Sequence, residues 1–250
     1  RRERKVGEGH KSFEIECDPF LPVEAACARR DFTINAMLCD YLTGEIVDPY
    51  SGREDLKNRI LRHTSGKFAE DSLRVLRAMQ FIARFGLAPA SETVALCSEI
   101  PFGELAPERV FEEWKKLILK GVKISSGLNF LRDCGWVKYF PELAACVGCP
   151  QDPQWHPEGD VFVHTGFCLD HFAKERIGDE REDLIVGLAV LCHDLGKPLC
   201  TKRGDDGKIH SYGHDILGVK PTLKFLGRMT REKSLVEQVC VLVERHMAVL

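Results

Sequence analysis

At 250 residues, 44% hydrophobic and 29% charged, the chain exceeds one small domain and should hold two or three units on a prior of roughly 100–200 residues each; no apolar run approaches the ~18 residues of a membrane span, so a cytoplasmic protein is expected. Net charge is −3, with 11 basic against 12 acidic residues in 1–62, 11 against 10 in 63–150 and 13 against 16 in 151–250, so charge alone does not announce a nucleic-acid binder. Eleven cysteines scattered through a long chain without a secretory signal point to reduced thiols rather than a disulfide scaffold.

The first 62 residues read as mixed α/β. Phe13-Glu14-Ile15-Glu16-Cys17 alternates apolar and polar with a period of two, the pattern of a half-buried strand, closed by Pro19 and Pro22. A strand pair follows around Thr33–Tyr41 and Glu45–Val47, turned at Thr43-Gly44. After the turn Asp48-Pro49-Tyr50-Ser51-Gly52, Ser51 is placed to cap a short helix running to about Asn58.

From Ser65 the period becomes helical: Phe68, Leu73, Leu76, Met79, Ile82 and Phe85 recur at three- and four-residue steps, and Gly86 ends the run. Helices are expected near 91–99, 107–119 and 124–134, the second of these opened by Pro107 at a first-turn position. Lys115, Lys116, Lys120 and Lys123 offer local basic surface for RNA, or simply a solvated helix face. Residues 141–159 carry four prolines and two glycines and read as a boundary without regular structure. Cys146-x-x-Cys149 lacks a second such pair or a nearby His, so it does not read as a zinc site. Helices resume at about Val161, interrupted by the polar turn Gly204–Gly207. The chain starts at Arg1 without Met and stops at Leu250 within a helical pattern, so a piece of a longer protein is expected.

Two constellations carry chemistry. The first is Arg29-Arg30-Asp31-Phe32-Thr33-Ile34-Asn35-Ala36-Met37 together with Glu70-Asp71-Ser72-Leu73-Arg74-Val75-Leu76-Arg77. Guanidiniums are planar forks suited to phosphate. Asp71, Arg74 and Arg77 stand three apart, so one helix would carry them as a row. An acceptor beside a donor matches the edge of cytosine or adenine, where an amino group sits next to an acceptor nitrogen. On spacing alone, surface ion pairs are the plainer reading of both clusters.

These strings, with Asp-Pro-Tyr-Ser-Gly-Arg-Glu-Asp-Leu at 48–56, Leu-Arg-His at 61–63 and Pro-Glu-Arg-Val at 107–110, resemble in order and spacing the successive motifs of the class II tRNA nucleotidyltransferase and poly(A) polymerase family. The resemblance implies an α+β chain: the C-terminal part of a nucleotidyltransferase head over 1–62, a helical neck that reads the base over 63–148, and a helical metal-binding domain over 155–250, expected to be truncated. It implies that Arg30 contacts the incoming nucleotide, that Asp71 and Arg74 template CTP and ATP, and that Arg77 also binds nucleotide. Gln80 stands where many CCA-adding members have a further Arg. The family's Mg2+-binding catalytic aspartates should lie upstream of Arg1. No Asp-x-Asp occurs in this chain, so it is expected to add no nucleotide by itself.

The second constellation is His193-Asp194 within Val190–Lys197, with His164, His210, His214 and His246. Imidazole and carboxylate together suit Mn, Co, Ni, Fe or Zn and leave Mg open. His164, His193-Asp194 and Gly213-His214 resemble the HD phosphohydrolase superfamily, found in one branch of bacterial CCA-adding enzymes, which implies phosphatase or 2′,3′-cyclic phosphodiesterase activity. His164, His193, Asp194 and His214 are the expected metal ligands, with His246 a weaker candidate; His210 reads as structural or substrate-facing, and His10, His63, His156 and His171 as bland. The function expected is synthesis or repair of the tRNA 3′-CCA end from CTP and ATP, with tRNA as partner and no obligate protein partner. A bacterial poly(A) polymerase, an HD phosphohydrolase whose transferase region only docks RNA, and a bare RNA-binding module are the alternatives.

Overall fold

The computed structural model describes residues 20–248, together with the backbone of two antiparallel strands, β1 (Arg2–Lys5) and β2 (Phe13–Glu16), in which Arg4 lies opposite Glu14. The strand expected from Phe13 is thus present to Glu16, while Cys17 and His10 lie outside the described residues. The chain is α+β as expected, with small two-stranded sheets among many helices.

Helix α1 (Val23–Cys27) leads into a 3-10 turn at Thr33–Asn35. The strand expected across Thr33–Tyr41 is shorter, because that turn occupies its first half. What remains is β3 (Leu38–Cys39), antiparallel to β4 (Ile46–Val47). Asp40 organises the turn between them, its Oδ1 accepting from the amides of Leu42 (2.8 Å) and Thr43 (3.0 Å). Helix α2 (Gly52–Lys57) is not capped by Ser51, which adopts φ 56° and makes no side-chain cap. Asp48 takes that role, accepting from Gly52 N (2.7 Å) and Arg53 N (2.9 Å) and so satisfying donors left open at the helix start. A methyl group on Gly52 would stand 2.3 Å from the Thr33 carbonyl oxygen, so only glycine lets α2 press on the 3-10 turn. Buried Asp55 ties the two, accepting from Thr33 Oγ1 at 2.7 Å.

Strand β5 (Ile60–Leu61) and β6 (Ala88–Pro89) run parallel and bracket a 3-10 turn (Gly66–Glu70) and helix α3 (Leu73–Phe85), which Gly86 closes at φ 59°. The helix therefore starts later than Ser65, whose hydroxyl instead accepts from Lys67 N to cap the 3-10 turn. Helices α4 (Ser91–Glu99), α5 (Pro107–Lys120) and α6 (Ile124–Asp133) follow close to their expected spans. Gly127 lets α6 touch α3: a Cβ there would meet Met79 O at 2.6 Å.

The stretch after Phe140 is not wholly irregular. Pro141 opens a short helix α7 (Pro141–Ala144), because a first-turn proline loses no hydrogen bond. Then come α8 (Val161–Phe172), α9 (Glu180–Cys192), α10 (Lys197–Cys200), the hairpin β7 (Lys202–Arg203) and β8 (Ile209–His210), α11 (His214–Gly227) and α12 (Lys233–Arg245). One buried apolar cluster runs from Phe32 through Trp114 to Val243. Trp114 on α5 packs edge-on against Phe140 (5.0 Å between centroids) and against Phe225 of α11 (5.4 Å). At ~25 cal/mol per Å2, each such fully buried aromatic contributes a few kcal/mol.

Candidate functional site

Around the start of α3, charged side chains from three segments are knitted together. Buried Asp31 is the hub: its Oδ1 accepts from Phe32 N (2.9 Å) and Asn35 Nδ2 (3.1 Å), and its Oδ2 from Arg77 Nε (2.8 Å) and a terminal nitrogen of Arg77 (2.6 Å). Arg77 also lies 5.6 Å over the Phe81 ring and 3.9 Å from the buried carboxylate of Glu113. Arg74 donates to the carbonyls of Lys67 (2.7 Å) and Arg29 (2.6 Å), which clamps the Arg29–Arg30 turn to the helix, and burial pushes its pKa down. Arg30 is exposed.

The row expected for Asp71, Arg74 and Arg77 is not a single helical row. Asp71 is extended (φ −133°, ψ 103°) and precedes the helix, which Ser72 opens. Its Oδ1 accepts from Leu73 N (3.1 Å), and its Oδ2 pairs with Arg109 (2.8 Å) from the Pro-Glu-Arg-Val string. Asp competes well for such local amides, which is why spacing alone misplaced it. Gln80 is buried and accepts from Arg84 at 2.9 Å. Of the four expected basic-surface lysines, Lys115 pairs with Glu180 (2.7 Å) and Lys116 with Glu113 (2.8 Å).

In the second half the histidines converge. Their ring Nδ1 atoms lie 2.7 Å from backbone carbonyls one turn back: His193 on Val190 O, His214 on Ser211 O and His246 on Val243 O. A carbonyl only accepts, so Nδ1 must carry the proton and a neutral ring keeps a bare Nε2. Those Nε2 atoms meet at Asp194: His193 is 3.2 Å and His164 3.7 Å from Oδ2, His214 is 3.3 Å from Oδ1, and His246 is 3.0 Å from the Nε2 of His214. The loop holding Asp194 lies directly against α11, an approach that only glycine allows, since a Cβ on Gly196 would fall 2.0 Å from His214 O.

Asp194 is 2% exposed, and neither oxygen accepts a hydrogen bond of good geometry, although the ammonium of buried Lys197 stands 2.8 Å from Oδ2. Burial pushes its carboxyl up, but the His193 ring when it is protonated, together with the Lys197 ammonium, outweighs that and holds it well below the usual carboxylate range. Burial pushes His164 and His246 down. A buried anion lacking good hydrogen bonds, facing several lone pairs, is the arrangement a divalent cation completes. The donor set, mixed imidazole and carboxylate, fits borderline metals.

All five expected ligands therefore come together, His246 included. Three further residues join them that the sequence did not mark. Glu158 accepts from His164 Nδ1 at 2.6 Å, orienting that ring as a carboxylate behind a ligand does. His156, expected to be bland, lies 3.1 Å from the same carboxylate, with its ring 4.5 Å from His164. Cys168, one turn after His164 on α8, puts its Sγ 3.3 Å from His164 Nε2. His63 pairs with Thr93 Oγ1 (2.9 Å), away from this cluster. The cluster floors a cavity of about 550 Å3 whose rim carries Trp155, His210 and Tyr212. Among the described residues, no helix is long and apolar enough to cross a membrane.

A family model described as the poly A polymerase head domain matches residues 5–62. The chain is 41% identical over 96% of its length to a multifunctional CCA protein of Stenotrophomonas maltophilia (strain K279a), and 36% identical over its full length to one of Xylella fastidiosa (strain M23). It spans about 60% of the length of these relatives. Among solved structures it is similar to the Bacillus stearothermophilus CCA-adding enzyme in complex with CTP (TM-score 0.60, 24% identity, 92% of this chain and 48% of that one). It is also similar to a CCA-adding enzyme complexed with ATP (TM-score 0.54, 18% identity, 91% and 48%). At these identities the structural likeness speaks for the fold.

Proposed function

We propose that this chain, which belongs with the class II CCA-adding tRNA nucleotidyltransferases, serves the tRNA 3′ end twice: its first half helps bind CTP and ATP, and its second half hydrolyses phosphoesters. Similarity along nearly the whole chain supports the first part. The hydrolase part is carried by one observation, the buried Asp194 carboxylate without good hydrogen bonds, facing the lone pairs of four histidines.

In the first half, Arg30 is the exposed ligand for triphosphate. Asp71 and Arg74 keep the capacity to read a base, since a carboxylate has about four acceptor sites and a guanidinium five donors, and the contacts above use only some of each. Arg77, locked to Asp31 through two of its five N–H donors, presents the others beside them. Transfer in this family requires Mg2+ held by paired aspartates. This chain has no Asp-x-Asp, so by itself it should incorporate no CMP into tRNA, and measurable incorporation would overturn that.

In the second half, His164, His193, Asp194, His214 and His246 would hold a divalent ion, with Mn, Co, Ni, Fe, Zn and Mg the candidates. Bound there, the ion supplies Lewis-acid chemistry and an activated water for phosphatase or 2′,3′-cyclic phosphodiesterase action. The chain's own contribution is orientation: three carbonyls fix three ring tautomers, Glu158 fixes the fourth, and the Lys197 ammonium offers positive charge to phosphate oxygens. The test is hydrolysis of 2′,3′-cyclic AMP with each metal in turn. Activity should vanish in His193→Ala and survive in Arg74→Ala; no hydrolysis with any metal, or equal loss in both variants, would refute the hydrolase reading.

A further inference from the structure

Resting on that hydrolase reading and extending it to the substrate, we propose that the mouth of the histidine–aspartate cavity is a nucleobase clamp, formed by Trp155 on one side and by Tyr212, backed by His210, on the other. The cavity is polar at its floor and aromatic at its rim. His193, Asp194 and Lys197 lie at the floor, and Trp155 and Tyr212 line the same 550 Å3 space. That volume falls within the range of roughly 300–1,000 Å3 typical of small-molecule sites.

Trp155 is 74% exposed and Tyr212 80% exposed. Large aromatics left in water lose the favourable burial that most such side chains obtain, so two of them at one rim mark a surface awaiting a flat partner. Their positions are built rather than incidental. Tyr212 stacks on the His210 ring with an interplanar angle of 10° and a centroid separation of 5.0 Å. The turn that carries Trp155 is tied to the hairpin that carries His210, because Asp152 Oδ2 accepts from Ile209 N at 3.4 Å. The same turn is tied to the floor, because buried Gln151 accepts from Lys197 Nζ at 2.7 Å. Aromatic rim and cationic floor are thus held in one frame.

A ligand that satisfies both ends carries a phosphate at one end and a planar, polarisable ring at the other, which describes a nucleoside phosphate. Stacking is tolerant of base identity, since every base has a π-face. The clamp therefore selects nucleotides over sugar phosphates without selecting one base.

The experiment exploits the tryptophan distribution. The other two tryptophans, Trp114 and Trp136, are fully buried, so quenching of exposed indole emission reports Trp155 alone. AMP titrated into the metal-loaded chain should quench that emission saturably, while ribose 5-phosphate should not. Tyr212→Ala should weaken AMP binding roughly tenfold, and Trp155→Phe should abolish the signal. In turnover, Trp155→Ala and Tyr212→Ala should raise KM for 2′,3′-cyclic AMP with little change in kcat, and leave hydrolysis of ribose 2′,3′-cyclic phosphate unaltered. AMP quenching without any hydrolysis would support the clamp while sinking the hydrolase. Hydrolysis that depends on His193, but with no AMP quenching and unchanged KM in both variants, would overturn the clamp and leave the hydrolase standing. Equal binding of ribose 5-phosphate would also overturn it.

Discussion

Replacing Asp31 with Asn tests whether the charged knot at the start of α3 is a structural lock. The substitution keeps size and shape, and the amide oxygen can still accept from Phe32 N and Asn35 Nδ2. On the other side, however, an NH2 group would face the two Arg77 N–H groups now bound at 2.8 and 2.6 Å. Donor would meet donor, and the Arg77 charge would lose its buried counter-ion, with Glu113 at 3.9 Å only a partial substitute. Breaking a fully buried pair by removing one partner costs about 3–5 kcal/mol. The Arg77 side chain is 32% exposed, so solvent screening should bring the loss to about 2 kcal/mol. For a chain of this length that is a fall of roughly 4–8 °C in melting temperature. Urea unfolding of the wild type, Asp31→Asn, Arg77→Met and the double variant closes a thermodynamic cycle. The double variant should be at least about 1 kcal/mol more stable than the sum of the single losses predicts, because removing both charges leaves neither stranded. Additive losses, or an Asp31→Asn cost below about 0.5 kcal/mol, would refute the lock.

Two further outcomes follow from particular groups. Chelating the divalent ion from the metal-loaded chain should lower its unfolding midpoint, since at a hundredfold excess over Kd a ligand of the native state adds about 2.7 kcal/mol; calorimetry of Asp194→Ala should show no such metal-dependent rise, and an unchanged rise would contradict the ligand assignment. Burial, with Arg62 adding, pushes the pKa of His63 down from its ordinary 6.5, so below about pH 6.5 the unfolded chain binds a proton that the native state resists, and stability contributed by the neutral ring falls with pH until the depressed folded pKa is passed. His63→Gln should flatten the stability profile in that window relative to the wild type, measured by urea midpoints; parallel profiles would dispose of the argument.

What the sequence disclosed follows from how local each determinant is. Helices α4, α5 and α6 were legible because apolar spacing, Pro107 and the glycines act within a few residues of themselves. The cap of α2 was misassigned because Ser51 and Asp48 both suit capping, and only the left-handed backbone of Ser51 removes it from contention. Asp71 fell outside its expected row for the same reason, captured by a nearby amide and by Arg109, 38 residues away. His164, His193, Asp194 and His214 were singled out by a resemblance, with His246 as a weaker addition, and the fold brings all five to one place although they span 164 to 246 in the chain. Glu158, His156 and Cys168 carry no such mark; each matters only once α8 and the turn before it are known to bring them around His164. His164 and Cys168 stand four apart, a signal that exists in the sequence but is worth little until α8 is known to turn that face inward.

Helix α5 makes the two candidate sites mechanically one object, and this yields a last prediction. Its Glu113 faces Arg77 of the nucleotide-side knot, while the next residue, Trp114, packs on Phe140 and Phe225 beside the metal-side helices. Lys115 reaches Glu180 at the start of α9, an ion pair that lowers the Glu180 carboxyl and raises the lysine. With a continuous apolar cluster on both sides of this helix, neither half can lose its packing without exposing the other. The chain should therefore unfold in one transition, seen alike by far-ultraviolet circular dichroism and by emission of the buried tryptophans. Trp114→Ala would leave a large cavity at the junction, at a cost of about 3–5 kcal/mol. Since the indole Nε1 has no hydrogen-bond partner among the described residues, Trp114→Phe removes a stranded donor as well as apolar area and should cost clearly less. Two separated transitions in the wild type, or equal losses in the two variants, would mean that α5 is a linker between independent cores rather than the beam they share.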